Sequence, residues 1–435
     1  MKKMLYPPYV QWEVTPRCNH NCIHCYNYWR TGLDTVEDCK NHMAIAEKIV
    51  ERKPISVVLT GGEPLLVFDR LKNPIKLFRE KGISVSVNTN ATLVTDEIAS
   101  FFKENHVSTF VSLPCYKEEV CDSITNTPGS FECIVEGIKK LKEHGVQVTV
   151  NMVVSKQNLA YIYDTAAFAC DVLGLDRFFA SRVSKPINSS DKFDFVMLTT
   201  RHILFMTEEL LRIEKDFGLH VESSTPIPAC TFNDQELFER FAYTHKCTAG
   251  KTSYAIDTVG NIKACPRDSE IYGNILTDNF KDVWSKMEPW RDGTYIPKEC
   301  KKCKNQPKCG GGCRLDAYPF TGRKDSLDPG ADVYNLPVKF EKEKNLAMFA
   351  EDQEFVVCDC MSIVEENGGW RVNVGRNYLV VTDELKTFLK SRTRFCLNEF
   401  AHSFDATYEE ANYAVNKLVQ KRIIDIGRIV EASFE

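Results

Sequence analysis

Six short β-rich runs alternate with helical stretches between Tyr9 and Val183, and this alternation limits the fold more than any other feature. The runs are YVQWEVT (Tyr9–Thr15), SVVLTG (Ser56–Gly61), SVSVNTN (Ser84–Asn90), TFVSLP (Thr109–Pro114), QVTVNMVVS (Gln147–Ser155) and RFFASRV (Arg177–Val183). Helical patterns separate them. One opens with a D-x-x-E box at Asp34 and Glu37. Another, SFECIVEGIKKLKEHG, closes on Gly145, the residue type suited to the left-handed position after a helix. Six β-α units in series predict a parallel sheet with right-handed crossovers, curled as a full or partial barrel. In such barrels the chemistry sits at the C-terminal ends of the strands.

Three cysteines follow the first predicted strand: Cys18, Cys22 and Cys25, spaced C-x₃-C-x₂-C. TGGEP (Thr60–Pro64) ends the second strand and NTNATL (Asn88–Leu93) ends the third, so all three stretches meet at one mouth. Three thiolates on a 4Fe–4S cube leave one iron open, because four are normally ligated by cysteine. A zinc site with three protein ligands leaves the same vacancy, and the spacing alone fits both. TGGEP also has the composition of an ordinary βα turn, although a glutamate turned into a barrel mouth needs a charged partner.

The chain has 435 residues, more than one ordinary domain, and 43% of them are hydrophobic. Its formal charge is −5, from 55 basic and 60 acidic residues, which gives no general attraction to nucleic acid. No apolar run approaches the roughly 20 residues of a membrane-spanning helix. The opening MKKMLYPPYVQWEV lacks the apolar stretch of a signal peptide. A cytoplasmic location is therefore expected, where thiols stay reduced and 18 cysteines point to metal.

C-x₃-C-x₂-C after the first strand, with GGEP after the second, resembles the radical S-adenosylmethionine (radical SAM) enzymes. The resemblance implies that Cys18, Cys22 and Cys25 hold a 4Fe–4S cluster whose open iron is chelated by S-adenosylmethionine. It implies that Gly61, Gly62, Glu63 and Pro64 bind the methionine amino group. It further implies that Asn90, Ser112, Asn151, Ser155 and Arg182, at strand ends, touch the ribose or carboxylate. His24 and Tyr26 flank the last cysteine as is common in that family. The family's S-[IL]-D-G at the fourth strand reads SLPC here, with Pro114 and Cys115 where its aspartate and glycine stand.

A second resemblance lies in Cys247, Gly260, Cys265, Cys300, Cys303, Cys309 and Cys313, which match the pattern of the SPASM domain of auxiliary iron–sulfur clusters. It implies two further 4Fe–4S clusters, three in all. Cys230, Cys247, Cys265 and Cys313 would hold one. Cys300, Cys303 and Cys309 would supply three ligands of the other. The pattern's last cysteine is missing from SLDPGADVYN. Asp332, Cys358, Cys360 or a substrate thiolate are the alternatives for that position. Cys39, Cys115, Cys121, Cys133, Cys170 and Cys396 are isolated and read as small apolar residues.

The last eighty residues read as a small winged-helix-like unit. WRVNVGRNYLVVT is followed by two helical runs, capped by Thr382 and by Thr407 with Glu410, then by RIIDIG. Residues 355–435 carry ten Lys/Arg and twelve Asp/Glu, against a DNA-binding wing. The unit resembles the peptide-recognition element of enzymes that modify ribosomally made peptides, which takes a leader peptide as an added strand. The expected fold class is thus α/β: a partial (β/α)₆ TIM-type barrel (1–190), a helical linker (191–229), a cysteine-rich SPASM domain (230–335), a linker (336–354) and a small α+β winged-helix-like domain (355–435). The function expected by resemblance is a radical SAM peptide maturase that forms a thioether or carbon–carbon crosslink in a leader-bearing precursor peptide. Flavodoxin or ferredoxin would donate its electrons, and no nucleic acid or membrane would take part. An anaerobic sulfatase-maturing type of enzyme and a non-catalytic zinc scaffold are the alternatives.

Overall fold

The structure, a computed structural model, describes residues 7–27, 39–187, 189, 191–332, 347–366, 369–375 and 377–426. They fall into two compact units, one within Pro7–Phe340 and one within Glu341–Glu435. The capping box expected at Asp34 and Glu37 lies outside the described residues, as does most of the 336–354 linker.

In the first unit the six predicted strands are present, with ends moved by a residue or two: β1 (Tyr9–Thr15), β2 (Ser56–Gly61), β3 (Ser84–Thr89), β4 (Ser108–Ser112), β5 (Val148–Val154) and β6 (Arg177–Arg182). They are neighbours in sequence order and all pairs are parallel. Helices α1 (His42–Glu51), α2 (Phe68–Glu80), α3 (Asp96–Glu104), α4 (Glu118–Thr125), α5 (Ser130–Glu143) and α6 (Ile162–Asp171) fill the crossovers. Each buries one stripe; on α2 it is Phe68, Leu71, Ile75 and Phe78, at helical spacing. Gly145 stands just past α5 with φ +69, as the sequence pattern requires. After α7 (Thr200–Phe217), a short strand β7 (His220–Glu222) adds in parallel beyond β6. The sheet stays open, with β7 at one edge, so the barrel is partial.

The cysteine-rich stretch adds to the other edge. Strand β8 (Ser253–Ile256) pairs parallel with β1, and β9 (Asn261–Lys263) and β10 (Gly273–Asn274) continue antiparallel. Short helices α8 (Gln235–Phe241), α9 (Phe280–Lys286), α10 (Gln306–Cys309) and α11 (Arg314–Thr321) complete it. Barrel and cysteine-rich stretch therefore share one sheet. Buried ion pairs also join them. Lys263 on β9 meets Glu13 on β1 at 2.7 Å. Arg182 at the end of β6 holds Asp328 through two hydrogen bonds of 2.7 and 2.6 Å, and lies 2.6 Å from Asp316. Arg267 reaches the other oxygen of Asp316 at 2.6 Å. Burial alone would raise the Asp316 carboxyl; the Arg267 and Arg182 charges outweigh it and hold it below the usual range.

The second unit has its own apolar core, with Phe355, Phe388, Phe395 and Phe400 packed ring to ring. Strand β11 (Glu354–Val357) lies between β15 (Arg394–Cys396) and β16 (Ile424–Ile426). A meander of β12 (Ser362–Glu366), β13 (Gly369–Val374) and β14 (Asn377–Val381) is followed by α12 (Asp383–Lys390), α13 (Leu397–Ser403) and α14 (Tyr408–Gln420). Thr382 caps α12, and Thr407 with Glu410 closes the box on α14, as read from sequence. Helix α13, capped by the Cys396 thiol, was not foreseen. Among the described residues no helix is long and apolar enough to cross a membrane.

Removing one partner of a buried pair strands the other charge at a cost of about 3–5 kcal/mol. Asp328→Ala leaves Arg182 with Asp316 alone and should therefore lower the unfolding free energy of the first unit by up to that amount, measured by urea titration. Asp325→Ala, which removes the exposed pair with Arg323, should cost under about 1 kcal/mol.

Candidate functional site

The loop that follows β1 and the GGEP turn that follows β2 are built on each other. Gly62 N–H donates to Thr15 O and Glu63 N–H donates to Arg17 O, both at 2.8 Å. A Cβ on Gly62 would stand 1.9 Å from the Arg17 carbonyl oxygen, and one on Gly61 2.3 Å from that of Thr15. Gly61 also takes φ +140, open to glycine and few others. The diglycine is thus required by backbone contact with the cysteine loop. The loop's other side is fastened to α4, where Asn21 and Ile23 N–H donate to Thr125 and Ile124 carbonyls.

Glu63 is buried, and its carboxylate accepts from Leu65 N–H (3.0 Å), the Thr89 hydroxyl (2.7 Å) and Asn90 N–H (2.8 Å). Burial pushes its pKa up to about 7 although these bonds pull it down. Three of roughly four acceptor positions are taken, leaving one for a further donor. Pro64, itself buried, begins the turn Pro64–Val67 that follows Glu63 and does not line the cavity.

The strand ends enclose a cavity of about 410 Å³, a size common for small-molecule sites. Cys18, Cys22 and Cys25 line it, together with Gly61, Gly62, Glu63, Asn90, Ser112 and Asn151. Asn151 accepts a hydrogen bond from the Ser181 hydroxyl at 2.7 Å. One predicted contact is corrected. Ser155 is fully buried, is not among the lining residues, and directs its hydroxyl to Asn158 in a local turn. Arg182 lines the cavity, and its terminal nitrogens are engaged by Asp328 and Asp316. In SLPC, Pro114 lines the cavity while Cys115 is buried in the core.

Asn27 is a site residue that the sequence did not single out. Its amide donates to Gly61 O at 3.0 Å. Its side-chain oxygen is buried, has no hydrogen-bond partner in the structure, and belongs to a residue lining the cavity. Nothing in the sequence marks this asparagine except its place two residues after Cys25. Burial drives the His24 pKa down to about 4, so that ring is neutral at physiological pH. Burial raises the Tyr26 phenol, which bonds the Thr60 hydroxyl and stays protonated.

The remaining cysteines fall in two places. Cys247, Cys265 and Cys313 line the same cavity as Cys18, Cys22 and Cys25. Cys230 does not join them. Burial pushes its thiol up to about 12. The turn that carries Cys230 lies beside Cys309, whose Sγ accepts from Ala229 N–H at 3.3 Å. Among the isolated cysteines, Cys39, Cys115 and Cys121 are buried as expected, whereas Cys133 is exposed.

Donor spacing separates two kinds of metal. Zinc–sulfur bonds of about 2.3 Å place tetrahedral thiolates roughly 3.8 Å apart. Among the described residues, Cys358, Asp359 and Cys360 alone bring three ligand atoms within 4.8 Å of one another. The three-cysteine set at β1 and the auxiliary sets do not meet that spacing.

Comparison with known proteins agrees with this geometry. The model of the Radical SAM superfamily matches residues 12–169. The Fe-coproporphyrin III synthase of Methanosarcina barkeri is 30% identical over 359 residues, spanning 74% of this chain and 87% of that protein. The mycofactocin maturase MftC of Mycolicibacterium smegmatis is 26% identical over 342 residues, spanning 74% and 82%. Among solved structures, Streptococcus suis SuiB bound to its precursor peptide SuiA aligns with a TM-score of 0.58 at 17% identity, over 74% of this chain and 75% of that one, a likeness of fold.

The backbone contact at Gly62 is directly testable. Gly62→Ala should force the β1 loop away and lower the thermal midpoint far more than Gly174→Ala. The latter meets nothing within 4 Å and costs only the about 1–2 kcal/mol of a left-handed backbone. Equal midpoints for the two variants would refute the contact.

Proposed function

The chain belongs to the radical SAM superfamily and is an enzyme, and we propose that it is a maturase acting on a ribosomally made precursor peptide, in which it forms a thioether or carbon–carbon crosslink. The observation that carries the peptide reading is the second unit. Its β12–β13–β14 meander is followed by three helices, and β12 and β14 each pair on one side only among the described residues. An outer strand of this kind can take an extended leader peptide as a further strand. MftC and SuiB, which are named for peptide maturation and for a bound precursor, support the same reading.

In this proposal Cys18, Cys22 and Cys25 hold a 4Fe–4S cluster, and the auxiliary cysteines hold two more. The donor set fits: three thiols line one end of the cavity beside a carboxylate and an unpartnered amide oxygen. When bound, the cluster and S-adenosylmethionine, with an electron from a flavodoxin or ferredoxin, supply a 5′-deoxyadenosyl radical that takes a hydrogen atom from the substrate. The chain's own residues bind and orient. The Asn27 side-chain oxygen and the Glu63 carboxylate receive the ammonium of the methionine group, Ser112 and Asn151 face the remainder, and the buried walls keep water out.

A second reading has one observation in its favour, the 30% identity to a porphyrin-modifying relative. The two are separated by adding either a leader-bearing precursor peptide or an iron tetrapyrrole precursor of Fe-coproporphyrin III to anaerobic, reduced enzyme with S-adenosylmethionine. The peptide should gain a mass loss of about two hydrogens per crosslink, with 5′-deoxyadenosine released above the background. Porphyrin turnover without peptide modification would overturn the proposal. A Cys18, Cys22, Cys25→Ala variant should release no 5′-deoxyadenosine with either substrate.

Glu63 also sets a pH dependence. With its pKa near 7 in the free protein, the carboxylate must ionise to pair with an ammonium. S-adenosylmethionine affinity should therefore rise as pH passes 7, then fall as the ligand's own amine deprotonates near roughly 8. Glu63→Gln should abolish the rising limb and weaken binding about tenfold or more, the scale of a charge-assisted hydrogen bond. Equilibrium dialysis between pH 6 and 9 measures both; a rising limb that survives in the variant would remove Glu63 from the ligand site.

A further inference from the structure

The segment that lacks the expected last cysteine runs from Asp328 to Asp332, and it is fastened to the turn that carries Cys230. The Thr231 hydroxyl donates to Gly330 O at 2.6 Å. Asp332 N–H donates to the Cys230 thiol. On its other side the same turn reaches Cys309, through the Ala229 N–H bond to that sulfur. Cys300, Cys303 and Cys309 lie on one run of turns, with Cys303 N–H donating to Cys300 O at 3.0 Å and Gln306 N–H to Cys303 O at 3.1 Å. A cysteine from upstream in the chain thus stands where the downstream one is missing. None of these four cysteines lines the large cavity, whereas Cys247, Cys265 and Cys313 do.

We propose that Cys230 is the fourth thiolate of the auxiliary cluster held by Cys300, Cys303 and Cys309. The cluster held by Cys247, Cys265 and Cys313 is then left with one iron that no protein thiolate fills. Because its three ligands line the cavity shared with Cys18, Cys22 and Cys25, that iron takes its last ligand from the cavity. The ligand class is a soft anionic donor, a thiolate above all. This assignment rests on the reading that both sets carry iron–sulfur clusters. It differs from the expected sharing of ligands in moving Cys230 from one set to the other.

The test uses the full chain carrying Cys18, Cys22, Cys25→Ala, so that only auxiliary clusters remain, reconstituted anaerobically. Iron and sulfide should be about eight each per chain, from two 4Fe–4S clusters. Adding Cys230→Ser should remove about four irons or shift the g-values of one reduced cluster. Adding Asp332→Ala, or Cys358→Ser with Cys360→Ser, should leave iron and spectrum unchanged. Iron retained with an unaltered spectrum in Cys230→Ser would overturn the assignment, as would cluster loss in either control. Should Cys230→Ser not fold, the parent sample still decides. Titration with 2-mercaptoethanol should shift the electron paramagnetic resonance signal of one cluster. That signal should be absent from Cys313→Ala. An unresponsive spectrum would mean that the protein itself fills the position, with His245, another lining residue, as the first suspect. Parent protein without any iron would instead sink the auxiliary-cluster reading itself, a failure distinct from iron bound with Cys230 irrelevant.

Discussion

Arg182 ends the sixth barrel strand fully enclosed, and its charge is met by Asp328 and Asp316, two carboxylates from the cysteine-rich stretch. The contact spans 146 positions of chain. Isolated, a buried guanidinium would be prohibitive; paired and hydrogen-bonded, it fixes which surfaces meet. Asp328 has further duties, accepting from the backbone N–H of Cys313 and of Gly330. Asp316 passes the link to Arg267, which lies two residues from Cys265 and donates to the Cys313 sulfur at 3.6 Å. One buried cluster of two cations and two anions therefore sets the position of the auxiliary cysteines that line the cavity relative to the barrel mouth.

The opposite wall is set by backbone rather than charge. The GGEP turn and the cysteine loop touch so closely that neither Gly61 nor Gly62 has room for a side chain. Glu63 then ties that turn sideways to the end of β3 through Thr89 and Asn90. The cavity floor is thus a continuous hydrogen-bonded rim across three strands, built before any ligand arrives. Such preorganisation limits the ordering cost that binding would otherwise carry.

Much of this was legible in the sequence because it was periodic or local. The six strands and the caps at Thr382 and Thr407 follow from alternation and spacing that need no distant partner. Cys18, Cys22 and Cys25 were legible for the same reason, three thiols within one loop. What escaped was non-local. Arg182 reads as a strand-end cation free to meet a ligand until Asp316 and Asp328 come into place. Ser155 sits in a strand-end position, yet a turn closed by Asn158 takes its hydroxyl. Cys230 is grouped with Cys247 by resemblance, whereas the Ala229 N–H bond to the Cys309 sulfur, across 80 positions, sets its turn beside that cysteine. Asn27 carries no motif at all; only its unpartnered oxygen in a buried wall marks it.

The buried thiols give these constraints a chemical consequence. Burial raises the pKa of Cys230 and Cys265 to about 12 and that of Cys300 to about 11, so each is a neutral thiol in the metal-free protein at physiological pH. A thiol is not a metal ligand until it loses its proton, so loading iron must displace those protons and leave net negative charge inside the fold. Arg267 lies against Cys313 and near Cys265, and both sulfurs act on its guanidinium. The cations that hold the cysteine-rich stretch to the barrel therefore also stand where anionic sulfur would gather. Structure and charge compensation are served by the same arginines, and exchanging one for a neutral residue would disturb both together.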